Sequence, residues 1–289
     1  MNTLRLFAAF SLLFSFGLSA YAATPDARSI VDTYLERATP ESELAYVKMV
    51  NVPITNPPTP PVEYRFLAMT KELPSGKYAY LIRMVRPLEV EGVTLLTNED
   101  VDGEVKQYLY LPASGRVTEI RGDGKSGRFM GSEFSFEDLM RELPANFDYV
   151  SEPDESFEGR EVFVIKATPK QDVYSHYAYR RLYIDQETYD LLGMRFYDES
   201  GAVTKEIDAQ CYDSKDVLGE TRRPEVLTSL NPSDGSSSYF QVLEGRVNPD
   251  LLDDYFTSET ISTWTPDDVN EVIFDYGIES WGDWDEAEE

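Results

Sequence analysis

The chain has 289 residues, with 53 acidic and 26 basic side chains and a formal net charge of −27 at pH 7. Nucleic acid is excluded as a partner because binding it requires a basic surface, and anionic membrane headgroups are disfavoured for the same reason. A chain of this length can bury a large core, as one large β domain or two smaller ones. The single cysteine, Cys211, cannot form an internal disulfide, so we expect a buried thiol and a fold stabilised by its core.

The first 22 residues have the pattern of a secretory signal peptide. Arg5 is the only charge before residue 26, and an apolar run from Leu6 to Leu18 follows it. Ala20-Tyr21-Ala22 fits the small-x-small cleavage signal. The apolar run is too short for a membrane span, which needs about 20 residues. We therefore expect cleavage after Ala22 and an exported mature chain.

A short helix is predicted next. Thr24 can cap it, and Pro25 suits its first position. One apolar stripe then recurs at helical spacing, made of Ala27, Ile30, Val31, Tyr34, Leu35 and Ala38. This stripe must pack on something, and a sheet is the obvious partner.

Most of the chain after this helix is strand-like. Val, Ile, Tyr, Phe and Thr recur in runs that are separated by turn residues. Short glycine-containing turns predict hairpins between sequence neighbours, so the runs should form an antiparallel meander that curls toward a barrel. The runs are 43–51, 62–72, 78–86, 93–98, 105–111, 116–121, 146–151, 160–168, 176–184, 190–197, 202–212, 222–230 and 236–246.

The hairpin of runs 62–72 and 78–86 has one face without charge. If Leu73 opposes Lys77 across the turn, the pleat places every second residue of each strand on that face. We predict that this face lines the inside of the curved sheet, although plain core packing is the favoured interpretation of one hairpin alone. Its residues are Tyr64, Phe66, Ala68, Tyr80, Ile82 and Met84.

A glycine-rich loop interrupts the strands between Gly122 and Gly131 and carries Phe129 and Met130. Ser135 can then cap a helix that runs to Leu143, with Asp138 in the capping-box position and Pro144 ending it. Phe136, Leu139, Met140 and Leu143 would share one helix face. We predict that Phe129, Met130, Phe136, Leu139 and Met140 form a movable cover over an apolar cavity.

No pattern in the sequence indicates catalysis. The only histidine, His176, lies in a strand-like run without a nucleophile elbow nearby. Gly124-Lys125-Ser126 resembles the end of a phosphate loop, but Glu119 occupies the position of the required glycine. With one His and one Cys, metal ligation by these residues is unsupported. We predict that the chain is not an enzyme. The sequence does not identify a carboxylate pair among 53 acids, so a calcium site and a hydrolase acting through carboxylates stay open as alternatives.

The C-terminal segment is strongly acidic. Residues 247–289 contain 14 Asp or Glu and no basic residue. The segment is either a disordered acidic tail or an acidic-aromatic strap that docks on the domain or on a basic partner. Both alternatives stay open at this point.

The central part of the chain carries a recognisable set of motifs. They are Arg86-Pro87, Tyr108-Leu109-Tyr110-Leu111-Pro112-Ala113, Gly115-Arg116-Val117, Phe129-Met130-Gly131-Ser132 and Glu137-Asp138-Leu139. On these motifs, residues 26–257 resemble the LolA-like outer-membrane lipoprotein-sorting proteins of Gram-negative bacteria.

This resemblance implies an incomplete antiparallel β-barrel with an N-terminal helix and a short lid helix over its open face. It implies a periplasmic carrier that binds a lipid or lipoprotein acyl chain, with no cofactor and no catalytic residue. The subgroup is associated with RND-type (MMPL-like) inner-membrane exporters, so an exporter is an expected partner, and a non-lipid-binding accessory subunit is the alternative function. We divide the chain into a signal peptide (1–22), a LolA-like domain (23–257) and a partly disordered acidic tail (258–289).

Overall fold

A computed structural model describes residues 25–100, 104–210, 212 and 222–278. The predicted signal peptide and Cys211 lie outside these residues. Helix α1 spans Ala27–Ala38, as the apolar stripe predicts. Its cap is Asp26, whose carboxylate accepts hydrogen bonds from the backbone N–H groups of Arg28 and Ser29, both at 3.1 Å. No helix among the described residues is long and apolar enough to cross a membrane.

The strand-like runs form one antiparallel sheet, and each of the predicted runs contributes a strand. The thirteen strands are β1 (Ser42–Val52), β2 (Val62–Glu72), β3 (Tyr78–Arg86), β4 (Thr94–Glu99), β5 (Val105–Leu111), β6 (Arg116–Ile120), β7 (Phe147–Phe157), β8 (Arg160–Pro169), β9 (Tyr179–Asp185), β10 (Leu191–Tyr197), β11 (Val203–Gln210), β12 (Val226–Leu230) and β13 (Ser237–Val247).

The sheet consists of two meanders that meet at the pairing of β1 with β13. One meander runs from β1 outward to β6, and the other runs from β13 outward to β7. All neighbouring strands are antiparallel. Strands β6 and β7 are the two edges and do not pair with each other, so the barrel is incomplete, as predicted. The chain between them must pass from one edge of the sheet to the other.

The register of β2 and β3 gives this hairpin the faces that its sequence predicts. Phe66 pairs with Met84 and Ala68 with Ile82, and these residues belong to one apolar cluster. Met69 pairs with Leu81 in a different cluster on the opposite side. We call the side with Phe66 and Met84 the inner face of the sheet and the side with Met69 and Leu81 the outer face.

Residues 121–146, here called the lid, connect the two edge strands and pack on the inner face. The lid contains short 3-10 turns at Gly122–Ser126, Phe129–Gly131 and Pro144–Asn146. The predicted lid helix from Ser135 to Leu143 is wrong. Its capping box does form, because the Ser135 N–H donates to Asp138 Oδ2 at 2.7 Å and the Asp138 N–H donates to Ser135 Oγ at 3.2 Å, but the chain makes only one turn.

Pairing within the lid explains why the helix does not propagate. The Phe136 N–H donates to the Gly127 carbonyl at 3.0 Å, and the Phe129 N–H donates to the Phe134 carbonyl at 2.8 Å. The residues before the turn are therefore committed to a hairpin-like pairing. Pro144 limits the other end, and helices of so few residues are marginal without tertiary support.

Residues 249–278, here called the strap, cross the outer face. They form a 3-10 turn at Asp253–Phe256, helix α2 (Thr260–Thr263) and helix α3 (Pro266–Asp275). Thr265 caps α3 in a capping box with Asp268. The buried strap residues that pack on β1–β4 are Leu251, Phe256, Ile261, Val269, Val272, Ile273 and Ile278. Up to Ile278 the segment is thus docked on the domain rather than free; the rest of the predicted tail lies outside the described residues.

Candidate functional site

On the inner face, a partly open cavity of about 270 Å³ lies between α1, the lid and the sheet, and it is here called the inner cavity. Its walls combine apolar side chains with tyrosine rings. The apolar residues are Leu35, Ala38, Leu139, Met140, Leu191, Met194, Phe196, Ala209 and Leu227, and the tyrosines are Tyr34, Tyr80 and Tyr212. A dry apolar cavity of about 150 Å³ can hold benzene, and ligand pockets begin near 300 Å³. The inner cavity therefore has room for a slender apolar group.

Helix α1 forms one wall of the cavity, because one part of its apolar stripe packs on the sheet and the other part faces the cavity. Ile30 and Val31 are fully buried against β8 and β9, which anchors the first half of the helix. The next members of the stripe, Tyr34, Leu35 and Ala38, extend beyond this contact and line the cavity. The amphipathic pattern of α1 thus places its last turn in the candidate site.

Met140 separates the inner cavity from a second space on the open side of the sheet. This outer cleft, of about 530 Å³, lies between β5, β6 and residues 172–174, and it is lined by polar and charged side chains. Met140 lines both spaces. Met140 is therefore the side chain at which the two spaces adjoin. Methionine is unbranched and adaptable.

Buried carboxylates fasten the lid next to this point. Glu137 accepts a hydrogen bond from the His176 backbone N–H at 2.8 Å, and Asp138 accepts one from the Tyr177 hydroxyl at 2.9 Å. Asp138 also pairs with Lys205, and its side chain has no solvent exposure. Burial, with the nearby charge of Asp138, raises the pKa of Tyr177. These bonds tie the lid to β11 and to the residues before β9.

A hydrogen bond from β5, in the other meander, also holds the turn of the lid that contains Phe136. Gln107 on β5 donates from Nε2 to the Phe136 carbonyl at 2.9 Å. The lid is therefore fixed to both halves of the sheet, and it closes the gap that the unpaired edge strands leave. His176 takes part in this scaffold through its backbone.

Three of the predicted site residues, Tyr80, Leu139 and Met140, line the inner cavity. Phe66, Met84 and Phe129 instead fill the core under the lid and are at most 2% exposed. Ile82 and Phe136 pack against the same cluster, partly buried. Tyr64 and Met130 line a separate pocket of about 410 Å³ near Asn51 and Ser238. The core around Phe129 is thus filled, and the predicted residues that line the inner cavity lie at its α1 end.

The apolar cavity residues that were not predicted come from α1, β10, β11 and β12. Leu35 belongs to the apolar stripe of α1, for which a packing partner was expected, so its burial could be predicted from the sequence. Met194 and Phe196 are two residues apart on β10 and therefore share a face. Leu227 on β12 carried no comparable signal. Their convergence depends on the order of the strands.

Charged groups rim the apolar walls. Arg141, Arg180, Arg222 and Arg223 line the cavity, together with Asp138 and Glu142. Arg180 Nη2 lies 2.9 Å from Glu142 Oε2, and Arg223 pairs with Glu43 on β1. Burial, with the nearby charge of Glu142, raises the pKa of Tyr34 to about 12. Across the described ranges, no group of three or more His, Cys, Asp or Glu side chains is placed to hold a metal ion.

Comparison with known proteins finds one matching family model and several solved structures with this fold. A protein-family model described as "Uncharacterized protein" matches residues 76–263. No curated protein matches the chain. Among solved structures, an outer membrane lipoprotein-sorting protein domain from Vibrio parahaemolyticus is 26% identical with a TM-score of 0.74, over 82% of this chain and 98% of that one.

Two further structures share the fold. A DUF1329 family protein from Desulfovibrio piger is 20% identical with a TM-score of 0.73, over 81% of this chain and 97% of that one. A LolA superfamily protein from Nitrosomonas europaea is 19% identical with a TM-score of 0.65, over 82% of this chain and 99% of that one. The match covers almost the whole length of each of these structures.

Proposed function

The chain belongs to the family whose model matches residues 76–263, and its fold is that of the LolA-like outer-membrane lipoprotein-sorting proteins; from this premise we propose that it is a periplasmic carrier for a lipid or lipoprotein acyl chain. The cargo would sit in the inner cavity and no covalent chemistry would be involved. Export would follow from the N-terminal signal, with cleavage after Ala22. The mature N-terminus of the protein in a periplasmic extract, read by mass spectrometry, tests this last point.

The inner cavity is the observation that carries the proposal. Burial of an acyl chain is favourable by about 0.8 kcal/mol for each CH₂ group that leaves water. A wall of Leu, Met and Phe supplies the apolar contact surface, and the volume suits a segment of a single chain. Movement of Met140 would give the cargo a path toward the outer cleft and additional room.

A cavity-filling variant tests the proposal on the protein itself. We expect native mass spectrometry of the wild-type protein, purified from the periplasm, to reveal bound lipid, and a fluorescent fatty acid to bind the delipidated protein. Ala38→Trp would place an indole in the inner cavity and abolish both signals. Glu36→Trp is the matched control, because Glu36 lies on the exposed side of the same helix.

Two results would overturn the carrier function or its site. Absence of lipid and of fatty-acid uptake in the wild-type protein would remove the proposed cargo. Equal binding by Ala38→Trp and wild type, with the variant folded, would show that the inner cavity is not where the cargo sits.

One feature favours a protein partner as well, in line with the exporter expected from the resemblance. Phe274 on α3 is 84% exposed, whereas its neighbours Val272 and Ile273 on the same helix are buried. An exposed aromatic side chain on a docked element suits a contact with another protein. We propose an RND/MMPL-type exporter as that partner. Co-purification of the exporter with wild type and its loss with Phe274→Asp would support this contact; equal recovery with both would oppose it.

A further inference from the structure

We infer that the inner cavity selects an anionic amphiphile, a single acyl chain ending in a carboxylate or phosphate, whose head is held by arginine and tyrosine side chains on the cavity wall. This inference rests on the proposed carrier function and specifies the class of its cargo.

The charge of the cavity wall is opposite to that of the protein. The chain has about two acidic residues for each basic one. The cavity, by contrast, is lined by four arginines, Arg141, Arg180, Arg222 and Arg223, and by two carboxylates. Guanidinium groups are well suited to carboxylate and phosphate because their donors form a planar fork. The overall composition does not predict this excess of arginine over carboxylate on the cavity wall, although each arginine has an ion-pair partner.

Three of these arginines pair with carboxylates that are more deeply buried than the arginines themselves. Arg223 has a side chain that is 36% exposed, whereas its partner Glu43 is 6% exposed. Arg222 and Arg141 are related in the same way to Asp190 and Glu99, which are almost fully buried. The ion pairs thus hold the arginines in place from one side. Each of these three arginines also lines the cavity.

The two carboxylates on the wall are already engaged. Asp138 binds Lys205 and the Tyr177 hydroxyl. Glu142 binds Arg180 and accepts a hydrogen bond from the Tyr149 hydroxyl. Cations and hydroxyl donors therefore compensate both groups, and their repulsion toward an anionic head is reduced.

Tyrosine hydroxyl groups complete the head site. The Tyr80 hydroxyl is buried and has no hydrogen-bond partner among the described residues. Tyr80 and Tyr34 line the same cavity as Arg223. Burial raises the pKa of both tyrosines, so each keeps its proton at neutral pH and can donate it. A buried polar atom without a partner is costly, and an anionic oxygen would supply the missing acceptor.

Three ligands with the same twelve-carbon chain separate the head from the tail: dodecanoate, dodecyl phosphate and dodecanol. Binding is measured at pH 7.5 by displacement of a fluorescent fatty acid and by native mass spectrometry. We expect each anion to bind the wild-type protein at least tenfold more tightly than the alcohol. A higher affinity for one of the two anions would identify the preferred head.

Variants then locate the head. Arg223→Gln alone leaves Glu43 buried without its partner, so the test uses Glu43→Gln/Arg223→Gln together with the separate variant Tyr80→Phe. We expect the double variant to lose at least tenfold in affinity for dodecanoate and Tyr80→Phe to lose severalfold, with dodecanol affinity unchanged. Arg37→Gln, an exposed change on α1, is the control and should retain the preference.

The outcomes separate this inference from the carrier function. Equal affinities of dodecanol and the two anions for the wild type would overturn the anionic head site and leave the carrier function intact. An unchanged anion preference in both head-site variants would do the same. Failure of all three ligands to bind the wild type would overturn the carrier function.

Discussion

At the scale of single residues, the glycine at position 193 has a steric role. A Cβ atom built there would lie 2.7 Å from the ring of Phe157 and 3.1 Å from the Ile207 carbonyl oxygen. Overpacking of this kind typically costs about 1–3 kcal/mol. The Ile207 carbonyl belongs to the paired backbone of β11, and the Phe157 ring packs on Tyr183 with ring centroids 4.9 Å apart, so an added methyl group must displace one of them.

We therefore expect Gly193→Ala to lower the free energy of unfolding by about 1–3 kcal/mol in urea denaturation. Gly124→Ala is the control, because the nearest atom to a Cβ there is the Ile120 side chain at 3.4 Å. That change should stay within about 0.5 kcal/mol of the wild type. Similar values for both variants would show that the sheet yields around position 193.

Asp138 concentrates several interactions of the lid in one buried carboxylate. Removing its charge would leave Lys205 in a largely buried position without its ion-pair partner. We expect Asp138→Asn to destabilise the protein by about 3–5 kcal/mol in urea denaturation, the typical cost of breaking a buried pair. The exposed pair of Asp32 with Arg28 offers the comparison.

Asp32→Asn should cost no more than about 0.5 kcal/mol, since exposed helical ion pairs contribute little. If both variants lose the same small amount of stability, the lid would not depend on the Asp138 cluster. The double change Asp138→Asn/Lys205→Met should be less harmful than Asp138→Asn, because it removes the unpaired cation as well.

At the scale of elements, the strap shows how a segment without a clear apolar period becomes ordered. Arg83, which is 3% exposed, donates hydrogen bonds to Thr94 Oγ1 and to the Trp264 carbonyl, each at 2.8 Å. The buried guanidinium group of Arg83 on β3 thus binds the strap to the sheet. Around it, side chains of α3 cover outer-face residues that would otherwise form a large exposed apolar patch.

Substitutions at two residues of α3 can distinguish the docking of the strap from the formation of its helix. Val272 is 2% exposed against the outer face, and Phe274 is 84% exposed. We expect Val272→Asp to release the strap, lowering the unfolding free energy by several kcal/mol because a charge is buried, and to make residues 249–278 sensitive to limited proteolysis. Phe274→Asp on the same helix should change neither observable. Protease resistance of Val272→Asp equal to that of the wild type would contradict this account of the strap.

The lid shows why the length of a helix cannot be predicted from its first turn alone. The capping box at Ser135 and Asp138 was legible and forms, yet the helix it should begin stops after one turn. Local pairing with Gly127 and the bonds of Glu137 and Asp138 to distant residues decide the outcome. His176 and Lys205 are close to the turn in space but not in sequence, so a local rule could identify the turn but not its length.

At the scale of the whole molecule, the acid excess acts on every part of the surface at once. A net charge of −27 produces repulsion that disfavours the compact state. Salt screens this repulsion, because the screening length falls from about 10 Å at 0.1 M to about 3 Å at 1 M. The exposed ion pairs are also screened, but each contributes little.

We expect the urea midpoint of unfolding to rise between 0.05 M and 1 M NaCl, with an unchanged slope. KCl should give the same rise at equal ionic strength, which controls for binding of a particular cation. A midpoint that falls with salt would mean that ion pairs, rather than net repulsion, dominate the electrostatic free energy of the fold.

The sequence by itself determined the alternation of faces along each strand, the apolar stripe of α1 and the glycine turns, because these depend on neighbours within a few residues. It therefore predicted the strands and the inner face of the β2–β3 hairpin, whereas the incomplete barrel was implied by the resemblance of the central motifs to LolA-like proteins. Only the tertiary structure decided where the room lies. The aromatic residues of the glycine-rich loop fill the core, whereas the last turn of α1 meets Met194, Phe196 and Leu227 around a cavity. The reason is physical: a cavity is what remains after packing, so it depends on which distant side chains meet and not on how apolar each of them is.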